Sequence, residues 1–241
     1  MKIVEPSVKI VGYLDGIQLL KRLESIGRVC YKSEDKITDT SYAPFLRTLI
    51  KNGHESVLEH VNVTLDIITD RGISHEIVRH RIASYSQEST RYCNYKNKEI
   101  EFICPVEFLN NRYQRSVWAD ACAQAEYYYK ASLAAGASPQ NARSMLPNCL
   151  KTEIVMTANL REWRHFLKLR LAKGAHPDMR YLASLVLKEL HNVFPIIFED
   201  IVKSEQIKTY QDCEHTQSTQ EKIEKTLKKA EVILKAGKGK E

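Results

Sequence analysis

Thirteen consecutive residues, Arg79 to Arg91, carry three guanidiniums, one imidazole and five side-chain hydroxyls. Nothing in that run can build a hydrophobic core, so any fold must present it at a surface or cleft while other segments bury their apolar faces. Arginine offers a planar fork of donors matched to phosphate oxygens, and serine, threonine and glutamine add neutral partners for sugar and base edges. The run reads as a nucleotide cradle. A solvated turn is the plain alternative that composition alone leaves open.

The flanks say where the run sits. Val61, Val63, Leu65 and Ile67 alternate with Asn62, Thr64, Asp66 and Ile68, the period of two that marks a strand. Asp70 is placed to cap a helix carrying Ile73 and Ile77 on one face, and a polar loop is expected from Ala83. Downstream, Glu101–Pro105 reads as a short strand, Asn110 to about Ala135 as a long helix stopped by Gly136, and Glu153–Thr157 as a strand. Helices are expected over Arg161–Leu171 and from Pro177 to about Val202, with Pro195 a kink or break in the second.

At 241 residues, 43% hydrophobic and 27% charged, the chain suits one soluble domain. No run approaches the ~20 apolar residues that span a bilayer, and the first residues lack a signal-peptide pattern, so a cytoplasmic location is expected. Six cysteines are widely spaced with no C-x-x-C pair, which suggests neither a zinc knuckle nor a disulfide framework. The net charge of +6 favours anionic ligands without choosing between a small phosphate compound and a nucleic acid. After His215 the composition shifts to Gln, Lys and Glu, while Ile223, Leu227, Ala230 and Leu234 keep a helical stripe. Residues 1–214 are therefore expected as the domain and 215–241 as a charged amphipathic tail.

Two chemistries compete with the cradle. His75-Glu76 opens an H-E-x-x-H zinc motif, but Arg79 stands at its fifth position, and His80 lies about 140° round the helix from His75. No metal site is expected. A sequence-independent nucleic-acid binder could use the basic run with Tyr85 and Tyr92, but it does not explain the order in which His54, Arg143, Asn159 and Arg170 accompany that run, an order that resembles a known family's.

That resemblance rests on motifs in a fixed order. The order R-H-R, seven residues, S-x-R-Y, complete here in Arg79, His80, Arg81, Ser89, Arg91 and Tyr92, resembles the signature of flavin-dependent thymidylate synthases. Gly53-His54-Glu55-Ser56 with Glu59-His60, then Asn141 to Pro147, Asn159-Leu160-Arg161 and Phe166 to Arg170 follow in that family's order, covering roughly residues 1 to 200. The resemblance implies an α+β fold, a twisted, mainly antiparallel sheet flanked by helices, in a homotetramer with sites shared between subunits. It implies reductive methylation of dUMP to dTMP, with 5,10-methylenetetrahydrofolate as carbon donor, FAD as hydride carrier and NADPH as reductant.

Carried over residue by residue, Arg170 matches the arginine that activates the uracil. Glu76, Arg79, Gln87, Glu88, Ser89, Arg91, Arg143 and Arg170 match dUMP positions. Ser56, Arg79, His80, Arg81, Gln87, Asn159, Arg161 and His165 match FAD positions, and His54 a flavin or folate contact. No enzyme nucleophile is implied, so Cys93 reads as structural. His176 stands six residues after Arg170 where many members have a histidine after four, and Gln87 replaces a glutamate found in some members. The chain also lacks G-x-G-x-x-G and has only nine glycines, so side chains such as Arg79 and Arg81 would have to hold a dinucleotide's phosphates.

Overall fold

The structure is a computed structural model and describes residues 1–204. In chain order the regular elements are β1 (Lys2–Ile3), β2 (Ser7–Ile10), α1 (Gly16–Arg28), α2 (Tyr42–Lys51), β3 (Asn62–Asp70), α3 (Arg71–Ile77) and β4 (Ser84–Gln87). They continue with β5 (Glu101–Phe102), α4 (Val106–Leu109), α5 (Arg112–Ala134), α6 (Pro139–Ala142), β6 (Lys151–Asn159), α7 (Leu160–Arg170), α8 (Pro177–Val193) and α9 (Pro195–Ser204). The tail expected from residue 215 lies outside the described residues. No helix among the described residues is long and apolar enough to cross a membrane.

The alternation in β3 and β6 builds the centre. Four strands pair in the order β2-β3-β6-β4, every pair antiparallel, and β1 and β5 form a separate parallel pair. The register sets Val63 opposite Ala158, Leu65 opposite Met156 and Ile67 opposite Ile154, and all six are buried. One face of the sheet is thereby apolar, and helices carrying Leu23, Trp163, Phe166, Leu187 and Phe198 share its core. Each such side chain contributes on the order of 1.5–3 kcal/mol by leaving water. The opposite face is half-buried and polar, where Thr64 and Thr157 share a hydroxyl hydrogen bond of 2.8 Å. A second core forms along α5 from Phe102, Trp118, Cys122, Tyr129 and Leu150.

Most expected elements form, including the break at Pro195, with two differences in the strands. Ser84–Gln87 is a strand rather than loop, because backbone amides pair with β6 whatever the side chains, and polar residues suit a sheet edge. Glu101–Pro105 yields only two strand residues before Pro105. Pro195 ends one helix and starts another: α8 stops at Val193 and α9 begins at Pro195, where a missing amide proton costs nothing.

One contact is tight enough to test. A β-carbon built on Gly16 would lie 2.1 Å from the Val193 carbonyl oxygen and 3.0 Å from its Cγ1, so α1 starts against the end of α8 only because residue 16 lacks a side chain. Gly16→Ala is expected to destabilise the protein by roughly 1–3 kcal/mol, read as a lowered Tm. An unchanged Tm would mean that the two helix ends separate without cost.

Candidate active site

The basic run begins where α3 ends, and its first residues are positioned from below. Asp70 caps α3, its Oδ1 accepting from the Ile73 amide at 2.9 Å, and Ile73, Ser74 and Ile77 are buried. Tyr85, on β4, donates its hydroxyl to the carbonyls of Ile77 at 3.0 Å and His80 at 2.7 Å, closing the exposed end of the helix. Burial, with the nearby Glu162 charge, pushes the Tyr85 phenol up to about 12, so it remains a donor. Arg79 and Arg81 point to solvent, whereas His80 between them turns inward and is 4% exposed.

Helix α7 meets that histidine. Asn159 caps it, accepting from the Glu162 amide at 2.8 Å, and Glu162, His165, Phe166 and Arg170 follow at three- and four-residue spacings on one side. His80 Nδ1 lies 2.9 Å from Glu162 Oε1, and its ring packs on His165 and Phe166 at centroid distances of 5.6 and 4.9 Å. Arg170 completes the group: Nε donates to His80 Nε2 at 3.1 Å, Nη1 to Glu76 Oε2 at 2.9 Å, and Nη2 to the Glu76 carbonyl at 2.7 Å. Three of five guanidinium N–H groups are used and one remains on each Nη. Burial holds the His80 pKa below its ordinary 6.5; the Glu162 hydrogen bond opposes this and the Arg170 charge adds to it. Glu162, His80 and His165 bring ligand-type atoms within 4.8 Å of one another, but the His80 lone pair already accepts from Arg170, whose charge opposes a cation there.

A second group forms at the far end of β4. Gln87 donates to Ser74 Oγ at 2.8 Å and to Thr152 Oγ1 at 3.1 Å. Glu88 accepts from the Tyr95 hydroxyl at 2.7 Å and lies 3.5 Å from Lys151 Nζ. Ser89 turns the chain, its carbonyl accepting from the Tyr92 and Cys93 amides, while its Oγ accepts from the Arg91 amide at 3.3 Å. Arg91 lies over the Tyr92 ring and donates to Gln140 Oε1 at 3.3 Å. That bond ties the run to the segment where Arg143 starts a 3₁₀ turn.

The segment bearing His54 and Ser56 is lashed to α7 by charge. Glu55 accepts from Arg164 Nε at 3.1 Å and Lys168 Nζ at 3.2 Å, and Glu59 pairs with Arg161 at 2.5 Å. His54 and Ser56 remain exposed. His176 caps α8 instead, its Nδ1 accepting from the Asp178 amide at 3.3 Å.

Among the described residues five arginines pair with carboxylates and nine do not, four of the nine at expected site positions. Arg28, Arg47, Arg161, Arg164 and Arg170 pair with carboxylates. Among the described residues Arg79, Arg81, Arg91 and Arg143 have no carboxylate partner. Cations without internal counter-ions, next to free hydroxyls, form a donor set that fits phosphate groups, including the two of a dinucleotide. Of the expected site residues, the fold joins Glu76, His80, His165 and Arg170 in one group and Ser89, Arg91 and the Arg143 segment in another. Asn159 and Arg161 already serve the helix cap and an ion pair. Glu162, Tyr85 and Gln140 were not expected. Glu162 stands three residues after a capping asparagine, where an acid ordinarily reads as part of the cap.

A family model described as "Thymidylate synthase complementing protein" (Thy1) matches residues 15–196. The flavin-dependent thymidylate synthase of Geobacter sulfurreducens is 36% identical over 180 residues, 72% of this chain and 78% of that protein. The flavin-dependent thymidylate synthase of Pyrococcus furiosus is 36% identical over 172 residues, 69% and 70% of the two chains. Among solved structures, the UMP/dUMP methylase PolB from Streptomyces cacaoi, bound with 5-Br dUMP, has a TM-score of 0.68 at 22% identity, covering 84% of this chain and 97% of that one; at that identity it speaks for the fold. Together with the ordered motif residues, these matches place the chain in the flavin-dependent thymidylate synthase family, a family of methyltransferase enzymes.

Proposed function

We propose that the protein converts dUMP to dTMP by reductive methylation, taking the carbon from 5,10-methylenetetrahydrofolate and using FAD and NADPH, in the cytoplasm. The observation that carries this reading is the fixed guanidinium of Arg170. It is held at three points with one N–H free on each Nη.

Carbon 5 of uracil is a poor nucleophile, and reaction there places negative charge on the ring. A preorganised guanidinium stabilises that charge without a proton transfer. Arg91 and Arg143 hold the nucleotide phosphate, Ser89 and Gln87 orient sugar and base, and Glu76 and Glu88 line the substrate. Ser89 Oγ, which accepts from the Arg91 amide, positions the nucleotide, and the route uses no enzyme nucleophile. Arg79 and Arg81, with Ser56, are the residues that would hold the phosphates of FAD; His80, Gln87, Asn159, Arg161 and His165 would line the remainder, and His54 would face the flavin or folate. FAD, when bound, supplies the hydride.

The homotetramer belongs to the same reading. Tyr113, Val117 and Tyr128 are 78%, 52% and 55% exposed and lie along one side of α5, a face that a second copy of the chain would cover.

The test is ligand binding. The purified protein should carry a flavin absorption band or take up FAD stoichiometrically, and a colourless protein that ignores FAD would sink the reading. Arg91→Ala should weaken dUMP binding roughly ten- to a hundredfold, the worth of a charge-assisted contact to phosphate, and leave FAD binding nearly unchanged. Equal losses for both ligands, or none, would contradict the assignment.

A further inference from the structure

We propose that Glu162 is a positioning residue for Arg170, acting through His80. This rests on the reading of Arg170 given above. Arginine cannot lose its proton, so the Nε that lies 3.1 Å from His80 Nε2 is a donor. That nitrogen of His80 must therefore be bare, and in a neutral ring the proton must be on Nδ1. Nδ1 faces Glu162 Oε1 at 2.9 Å, and a carboxylate only accepts. Glu162 thus selects the one tautomer that lets His80 accept from Arg170.

The placement is costly, and the cost points to a task. Glu162 is 7% exposed and the His80 side chain 2%, and a carboxylate buried to that degree needs a partner. A simpler use was at hand. Glu162 stands where it could reach back to the Asn159 amide, and among the described residues its carboxylate is hydrogen-bonded to His80 instead. Without it, the ring is free to carry its proton on Nε2 and set N–H against N–H at 3.1 Å. Arg170 would then lose the contact at Nε and keep only Glu76, which holds the two Nη atoms and leaves the guanidinium free to swing.

The test begins with the unaltered protein. In a long-range proton–nitrogen NMR spectrum of ¹⁵N-histidine-labelled protein, His80 should show protonated Nδ1 and bare Nε2. Glu162→Leu should populate the other tautomer and slow reoxidation of the reduced flavin by dUMP and methylenetetrahydrofolate between about 10- and 100-fold, the effect of a small misplacement of a catalytic group. Glu162→Gln keeps an acceptor oxygen and should restore both the tautomer and most of the rate. His80 protonated on Nε2 in the unaltered protein overturns the proposal. So does a slow Glu162→Leu variant whose His80 tautomer is intact, or a glutamine variant no better than leucine. The two readings fail separately: a normal rate in an Arg170 variant removes the role of Arg170, whereas the tautomer measurement alone decides whether Glu162 sets His80.

Discussion

Replacing Arg170 with lysine is expected to slow the reaction of reduced enzyme with dUMP and methylenetetrahydrofolate by roughly 10²–10³, the usual loss when one preorganised charge-stabilising donor is removed. Charge alone does not define the site. The guanidinium spans His80 Nε2, the Glu76 carboxylate and the Glu76 carbonyl and still offers two N–H groups. An ammonium has three donors in all, too few to keep those contacts and also meet a uracil. Arg170 is also 14% exposed in its side chain, so water cannot readily replace what lysine fails to reach. Flavin reduction by NADPH should be little changed, since that half-reaction develops no charge on uracil. Stopped-flow traces of the two half-reactions decide the matter, and unchanged reoxidation in Arg170→Lys would mean that another residue activates the ring.

The strongest sequence signals were local, and the structure shows why they sufficed. Asp70 reads as a cap because a helix start needs an acceptor within three residues, and its Oδ1 meets the Ile73 amide. The alternation at 61–68 reads as a strand because one face must be buried, and it is. Helix α1 has comparable signals in Asp15, which accepts from the Gln18 amide, and in buried Leu20 and Leu23, yet it and α2 are missing from the sequence-based expectations. Strand β4 was illegible for a physical reason: its pairing is made by backbone, and Ser84 to Gln87 carry no apolar pattern.

The candidate site was legible as a proposed set of residues but not as an arrangement. Residue type and order single out Arg79, Arg91 and Arg143 for the proposed anion contacts. That Arg170 reaches back across 94 residues to Glu76 depends on how α7 lies against the end of α3, which no local rule gives. Glu162 was hidden because its position already had an ordinary explanation as part of a helix cap. Arg164 was hidden in the same way among Arg161, Lys168 and Arg170, which share its helix and its chemistry but not its burial.

That difference sets the largest expected stability effect. The Arg164 side chain is 1% exposed. It donates Nε to Glu55 at 3.1 Å, binds both oxygens of Asp200 at 2.8 and 2.7 Å, and donates to the Ile197 carbonyl. Arg164→Met keeps much of the volume but leaves the Asp200 carboxylate and the Ile197 carbonyl without this donor, and Glu55 with Lys168 alone. Breaking one side of a buried pair costs about 3–5 kcal/mol; because Asp200 is 46% exposed and can turn to water, roughly 2–4 kcal/mol is expected here. For a chain of this size that lowers Tm by about 5–15 °C. The pH dependence follows in sign. Burial pushes the Asp200 carboxyl up, but the hydrogen bonds and charge of Arg164 together outweigh it and hold the pKa below the ordinary 3.8. An acid depressed in the folded state contributes stability above its unfolded value and loses it as pH falls through the folded one. The gap between wild type and Arg164→Met should therefore be full at neutral pH and begin to close below about pH 3.8, as thermal melts across that range would show. A gap that stays constant through acid would mean that Arg164 acts by packing and by its bond to the Ile197 carbonyl rather than through its ion pairs.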